Sequence, residues 1–154
     1  MSKIISERQL SRLAVYVIFQ NTKGETLFIR RYKTGWRDGE YTLPAGHIDP
    51  GETAFAAAVH EAREEVGLEI RENDLKLVHV MQHQGENESD SNYIDFYFKC
   101  ENYSGEARIG EPNKADDLVW ASPNKLREIP VIASLAAALS DIADGKNFSF
   151  WDYK

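Results

Sequence analysis

Residues Ala54 to Val66 constrain this chain more than any other stretch, because they read as a helix with both ends marked. Thr53 is a good N-cap residue and Gly67 a good C-terminal stop. At about 100° per residue, Phe55, Val59, Ala62 and Val66 share one narrow stripe, the face expected to dock on a sheet. Glu61, Glu64 and Glu65 are expected to project roughly opposite. Their spacing makes like charges neighbours, which costs a few tenths of a kcal/mol per pair unless a cation compensates. An isolated Glu-x-x-Glu-Glu is also what a solvated acidic face looks like, so the flanking sequence has to decide.

Around this helix the pattern is mostly β. Arg12 to Gln20 reads as an apolar strand, Asn21 to Gly24 as a turn, and Glu25 to Tyr32 as the returning strand of a hairpin. A polar, glycine-containing loop runs from Lys33 to Glu52. Leu75 to Gln82 and Tyr93 to Cys100 read as further strands, separated by the acidic loop Gly85 to Asp90, which is expected to be mobile. Another strand ends at Leu118-Val119-Trp120. An alanine-rich helix follows from about Val131 to Ala143, and then an aromatic tail, Phe148 to Tyr153, placed either to cap the core or to join a partner. This order predicts an α+β chain, an α/β/α sandwich around a mixed β-sheet. With 154 residues and 42% hydrophobic content, one domain spanning 1–154 is expected, burying about two-thirds of its unfolded surface.

The net charge of −7 with scattered basic residues argues against binding long nucleic acid, which needs a basic stripe. A small anionic substrate remains compatible, since a divalent metal and a few arginines supply positive charge locally. Cys100 is the single cysteine, which precludes an internal disulfide and suits a reducing cytosol as a buried strand thiol. Residues Met1 to Arg8 lack the apolar core of a signal peptide, and no apolar run reaches the ~18 residues of a membrane span. A cytoplasmic protein without membrane contact is expected.

Directly upstream of the helix stands Leu43-Pro44-Ala45, followed by Gly46-His47-Ile48-Asp49-Pro50-Gly51-Glu52. The glycines permit a tight loop that converges on the helix N-terminus. The whole segment resembles the Nudix box, Gly-x5-Glu-x7-Arg-Glu-U-x-Glu-Glu-x-Gly-U with U aliphatic. Gly46, Glu52, Glu61, Glu64, Glu65, Gly67 and Leu68 match, and Ala62 is a small occupant of the first U position. One position departs: His60 stands where the box has arginine. In the family that arginine holds a neighbouring glutamate. His60 lies four residues from Glu64, within reach of a substitute contact.

The resemblance implies hydrolysis of a diphosphate linkage in a nucleoside diphosphate derivative, assisted by Mg²⁺, with Mn²⁺ as an alternative. It implies Glu61 and Glu65 as metal ligands, Glu64 as ligand or base, Glu52 as support for the cluster and the Gly46 carbonyl as a further ligand. Either Glu61 or Glu64 would serve as the catalytic carboxylate. Arg30 and Arg31 fall near the family's phosphate-binding arginine. Trp36 and Tyr41 are candidates to stack on a base, with core packing as their alternative. Glu111-Pro112-Asn113-Lys114 resembles a MutT-like Glu-Pro-x-Lys segment, with Asp116 or Asp117 beyond it to read a purine edge or add a ligand. His47 is a loop histidine without an assigned role, and His79 and His83 are expected to be packing or rim residues.

The run Thr34 to His47 resembles MutT-like members that act on nucleoside triphosphates, including oxidised ones. ADP-ribose and NDP-sugar pyrophosphatases are the alternative. No proline stands between Pro50 and Pro112 where ADP-ribose hydrolases carry one, and no coenzyme A motif precedes the box. A non-catalytic nucleotide sensor is the remaining alternative, disfavoured because every box glutamate is present. A monomer and a homodimer are both compatible with the sequence.

Overall fold

The computed structural model describes residues 8–87 and 90–153. Strands β1 (Ser11–Phe19), β2 (Thr26–Arg31), β3 (Tyr41–Thr42) and β4 (Ala45–His47) precede helix α1 (Ala54–Val66). A single 3₁₀ turn then leads into β5 (Lys76–His83), β6 (Asn92–Cys100) and β7 (Ala115–Ala121). The short helix α2 (Pro123–Leu126), helix α3 (Ala133–Ala143) and β8 (Phe148–Trp151) close the chain.

Five strands form one sheet in the order β4-β1-β6-β5-β8, and three form a second in the order β3-β2-β7. The larger sheet is mixed, as expected: β1 runs parallel to β6 and β5 parallel to β8, while β4–β1 and β6–β5 are antiparallel. Alternation along β1 and β2 supplies two cores. Val15, Val17, Phe19, Leu27 and Ile29 pack with Ala57, Ala58, Ala62 and Val66 of α1. Ile18 and Phe28 point the other way and pack with Leu135 and Ala138 of α3. Helices on opposite sides of buried strands give the α/β/α sandwich.

The expected hairpin is a correction. β1 and β2 belong to different sheets, with the isolated Gln20–Thr26 bridge between the end of one and the start of the other. Both edges of β1 are taken by β4 and β6, and both edges of β2 by β3 and β7. The turn itself is as read, closed by Gly24 N–H donating to the Asn21 carbonyl at 3.0 Å. Cys100 is a buried free thiol on β6. The tail caps the molecule from the β5 edge, with Phe148 and Phe150 exposed. Of the acidic loop, Glu88 and Ser89 lie outside the described residues, as do residues 1–7, most of the segment read as lacking a signal-peptide core. Among the described residues no helix is long and apolar enough to cross a membrane.

Candidate active site

Helix α1 begins and ends as its sequence dictates. The Thr53 hydroxyl accepts from Ala56 N–H at 3.1 Å, and Gly67 adopts a left-handed conformation at φ 68°. Its docking face differs from the expected stripe. Ala57, Ala58, Ala62 and Val66 are buried, whereas Phe55 is 37% exposed and its ring is tilted 60° to that of Phe98, centroids 4.9 Å apart. Small alanines let the helix settle close to β1 and β4, which rotates the buried face away from bulky Phe55. Glu61 and Glu65 therefore sit within the docked face, partly buried, and only Glu64 points into solvent.

Gly46 of β4 shows how close this docking is. A Cβ at that position would fall 2.1 Å from Cδ of Glu61, so only glycine leaves room for the carboxylate. Ala45 N–H donates to Oε2 of Glu65 at 3.3 Å. Burial, then the charge of Glu64, pushes Glu61 up to about 7, with His60 opposing. Burial, then Glu61, pushes Glu65 up to about 8, against the Ala45 N–H.

His60 lies between two carboxylates. Its Nε2 is 2.9 Å from Oε1 of Glu64, the substitute contact expected from the spacing, and its Nδ1 is 3.9 Å from Oε2 of Glu52. Oε1 of Glu52 accepts from Asp49 N–H at 3.1 Å, which anchors that side chain to its own loop. Donor atoms of His60, Glu61 and Glu64 lie within 4.8 Å of one another. Oxygen-rich donors, a glycine cleared for one of them, and carboxyls whose ionisation is disfavoured by burial and by one another together fit a divalent cation.

Sequence reasoning missed Glu111 as a member of this cluster, although its Glu-Pro-x-Lys setting was the available signal. The charge of Glu111 raises both Glu61 and Glu65. The segment that carries it is strapped to the end of α1 by Arg108 N–H to the Val66 carbonyl at 3.0 Å and Gly110 N–H to the Glu65 carbonyl at 2.8 Å. A Cβ on Gly110 would stand 1.9 Å from the Glu64 carbonyl oxygen.

A cavity of about 840 Å³ opens beside Glu65 and Glu111, ample for a nucleotide-sized ligand, while Glu52, Glu61 and Glu64 are not among the residues that line it. Ala45, Gly46, Glu65 and Glu111 form an acidic wall, and Trp36, His83, Tyr93 and Tyr153 an aromatic one. Arg31 lines it between Ile29 and Lys33. The Arg31 side chain donates to the Trp36 carbonyl at 2.7 Å and to Oγ1 of Thr34 at 2.8 Å, and lies 5.0 Å from the Trp36 ring. Trp36 Nε1–H and the Arg37 guanidinium both donate to Oε1 of Glu86, which ties the 33–39 loop to the acidic loop.

Arg30, Tyr41, Asp116 and Asp117 are not among the residues that line this cavity. Alternation along β2 points Ile29 and Arg31 towards it and leaves Arg30 for the neighbouring strands. Arg30 Nε donates to Asp116 at 2.7 Å, and the Tyr41 hydroxyl donates to Asp117. His79 is a packing residue, with both ring nitrogens bonded to Lys146 and Ser149. His47 bonds Tyr93 at 3.1 Å on the cavity wall. His83 also lines the cavity, paired with buried Asp95 at 2.8 Å.

Residues 10–141 match the family model described as the NUDIX domain. The chain is 27% identical over 135 residues to the NAD-capped RNA hydrolase NudC of Pseudomonas entomophila, covering 88% of this chain and 46% of the relative. It thus spans about half the length of the curated relatives it matches. Among solved structures it resembles the MutT NUDIX hydrolase of Burkholderia pseudomallei, with a TM-score of 0.76 at 24% identity over 86% of this chain and 98% of that one. It also resembles the NUDIX domain of Shewanella oneidensis NrtR complexed with ADP ribose, with a TM-score of 0.71 at 12% identity over 94% and 97%.

Proposed function

The chain belongs to the NUDIX family, and on that premise we propose that it is a hydrolase that cleaves a diphosphate bond in a nucleoside triphosphate or related nucleoside diphosphate derivative. The observation that carries this reading is one cavity with both a carboxylate wall, Glu65 and Glu111 beside Gly46, and an aromatic wall, Trp36, Tyr93 and Tyr153.

Glu61, Glu64 and Glu65 would hold Mg²⁺ or Mn²⁺, with the Gly46 carbonyl as a further ligand and Glu52 buttressing the cluster through His60. The bound metal would neutralise diphosphate charge and make water a better nucleophile at phosphorus. Glu61 or Glu64 takes the proton of that water as the P–O bond to the bridging oxygen breaks. Arg31 meets the phosphates and Trp36 offers its face to the base. Arg30, Tyr41, Asp116 and Asp117 hold β2, β3 and β7 together behind the site. The buried thiol of Cys100 suits action in a reducing cytoplasm on a small nucleotide, with no long nucleic acid or membrane as partner.

The likeness to NudC and to the ADP ribose complex favours a second reading, in which the diphosphate joins two ribose-bearing groups as in NAD or ADP-ribose. One experiment separates these readings. The full chain is incubated with Mg²⁺ and dNTPs, an oxidised purine triphosphate, ADP-ribose, NAD and NDP-sugars in ¹⁸O-water, and products are read by mass spectrometry. Turnover of at least one compound, with label in a phosphate product and arrest by chelator, is expected. Binding without turnover across the panel would instead make the chain a sensor.

A further inference from the structure

An arginine cannot ligate a cation, whereas an imidazole can, so histidine at position 60 changes what the helix offers to a metal. The ring faces the right groups. Nε2 lies 2.9 Å from Oε1 of Glu64, and donor atoms of His60, Glu61 and Glu64 fall within 4.8 Å of one another. Around one octahedral ion with ligands at about 2.1 Å, neighbouring donors stand ~3.0 Å apart and opposite ones ~4.2 Å apart. A small side-chain adjustment closes the cluster on a single cation. His60 is about half exposed, 48% for its side chain, so the ring is free to make that adjustment.

The other ring nitrogen supports the same arrangement. Nδ1 faces Oε2 of Glu52 at 3.9 Å, longer than a hydrogen bond but on the side from which a carboxylate orients a metal-bound imidazole once the two close together. Glu52 is itself fixed by Asp49 N–H. Glu52, His60 and the Glu61–Glu64 pair thus stand as buttress, nitrogen ligand and oxygen ligands.

We infer that His60 is a nitrogen ligand which, with Glu61 and Glu64, forms a mixed imidazole–carboxylate cation site on α1 that favours Mn²⁺, Co²⁺ or Zn²⁺ over Mg²⁺. Magnesium takes oxygen ligands almost exclusively, and imidazole suits the later divalent ions. The inference rests on the proposed reading that α1 holds a divalent ion, and the competing role for His60 is that of a hydrogen-bond donor to Glu64.

The test uses Mn²⁺ alone with the full chain, as wild type, His60→Arg, His60→Gln and His47→Asn. Pulsed electron paramagnetic resonance reads directly bonded ¹⁴N, and calorimetry reads affinity for Mn²⁺ and Mg²⁺. Imidazole nitrogen coupling is expected in wild type and His47→Asn, and is lost in both His60 variants while Mn²⁺ remains bound. Mn²⁺ affinity should fall by about tenfold or more in His60→Gln, at least the loss typical of disturbing a ligand's support, with Mg²⁺ affinity changed less. Bound Mn²⁺ without nitrogen coupling in wild type would overturn the inference and leave the α1 metal site standing. Coupling that persists in both His60 variants would assign the nitrogen elsewhere and also overturn it. Absence of Mn²⁺ binding to wild type would sink this inference and the proposed metal site together.

Discussion

Two groups of acidic residues, one on β7 and one on α1, are satisfied in opposite ways. Asp116 and Asp117 on β7 each have a dedicated partner, Arg30 for one and the Tyr41 hydroxyl for the other. Glu61 and Glu65 on α1 face further carboxylates instead, and Glu65 has one weak backbone donor. Partnered acids hold strands together, whereas acids whose ionisation burial and like charges disfavour are the kind that functional sites collect.

The largest expected effect breaks that contrast at Glu65. Glu65→Gln should lower kcat by about 100-fold or more, the scale of losing a group that stabilises charge in the reaction. In the same variant the metal-free protein should melt higher than wild type above pH 8, because no carboxylate has to ionise against the sheet. Near-normal turnover would end its assignment as a ligand.

Trp36→Ala tests the aromatic wall. Losing a stacked base is worth ~1–3 kcal/mol, so KM should rise ~5- to 100-fold with kcat little changed. Steady-state kinetics on the best substrate would show a fall in kcat instead if Trp36 only shaped the loop. Glu111→Gln sharpens the comparison from the strapped segment. Turnover is expected to fall about tenfold, and an unchanged rate would return Glu111 to the surface acids.

The pH dependence of stability reads both clusters at once. Glu61 and Glu65 bind protons more tightly folded than unfolded, so their contribution is complete below the ordinary value of 4.5. It is lost as pH rises through about 7 and about 8 respectively. Metal-free protein should therefore lose about 5 °C or more in Tm between pH 6 and pH 9. Saturating Mg²⁺ should flatten the curve, because it takes up the ionised forms and releases protons. A flat profile without metal would mean that these carboxylates ionise at no cost. The smallest effects belong to the partnered acids: Asp116→Asn and Asp117→Asn should leave kcat within about twofold and cost at most ~1 kcal/mol in chemical denaturation.

The helix ends, the box glutamates and the alternation of the buried strands were legible in the sequence because each is a local pattern. The facing of Glu61 and Glu65 was not. Periodicity placed the apolar stripe on Phe55, whereas close docking through Ala57 and Ala58 is decided by β4 across the interface. The hairpin failed for a similar reason, since the partners of β1 and β2 come from far along the chain. The aromatic wall gathers Trp36 from the 33–39 loop, Tyr93 from β6 and Tyr153 from the tail, and no local spacing announces that meeting. His83 read as a packing or rim residue, and it lines the cavity beside Asp95, a pairing no local spacing announces.

The parallel pairing of β1 with β6 joins Ser11 to Asn92 and runs without a break to Phe19 and Cys100. A contact spanning about eighty residues loses chain entropy long before it gains packing, so folding should be slower than in a helical bundle of this length, in milliseconds to seconds. Helix α1 is local and can form early, but the wall it faces exists only once that late pairing closes. A peptide of the box alone, or a chain still emerging from the ribosome, would carry every box glutamate and still have no pocket to put them in.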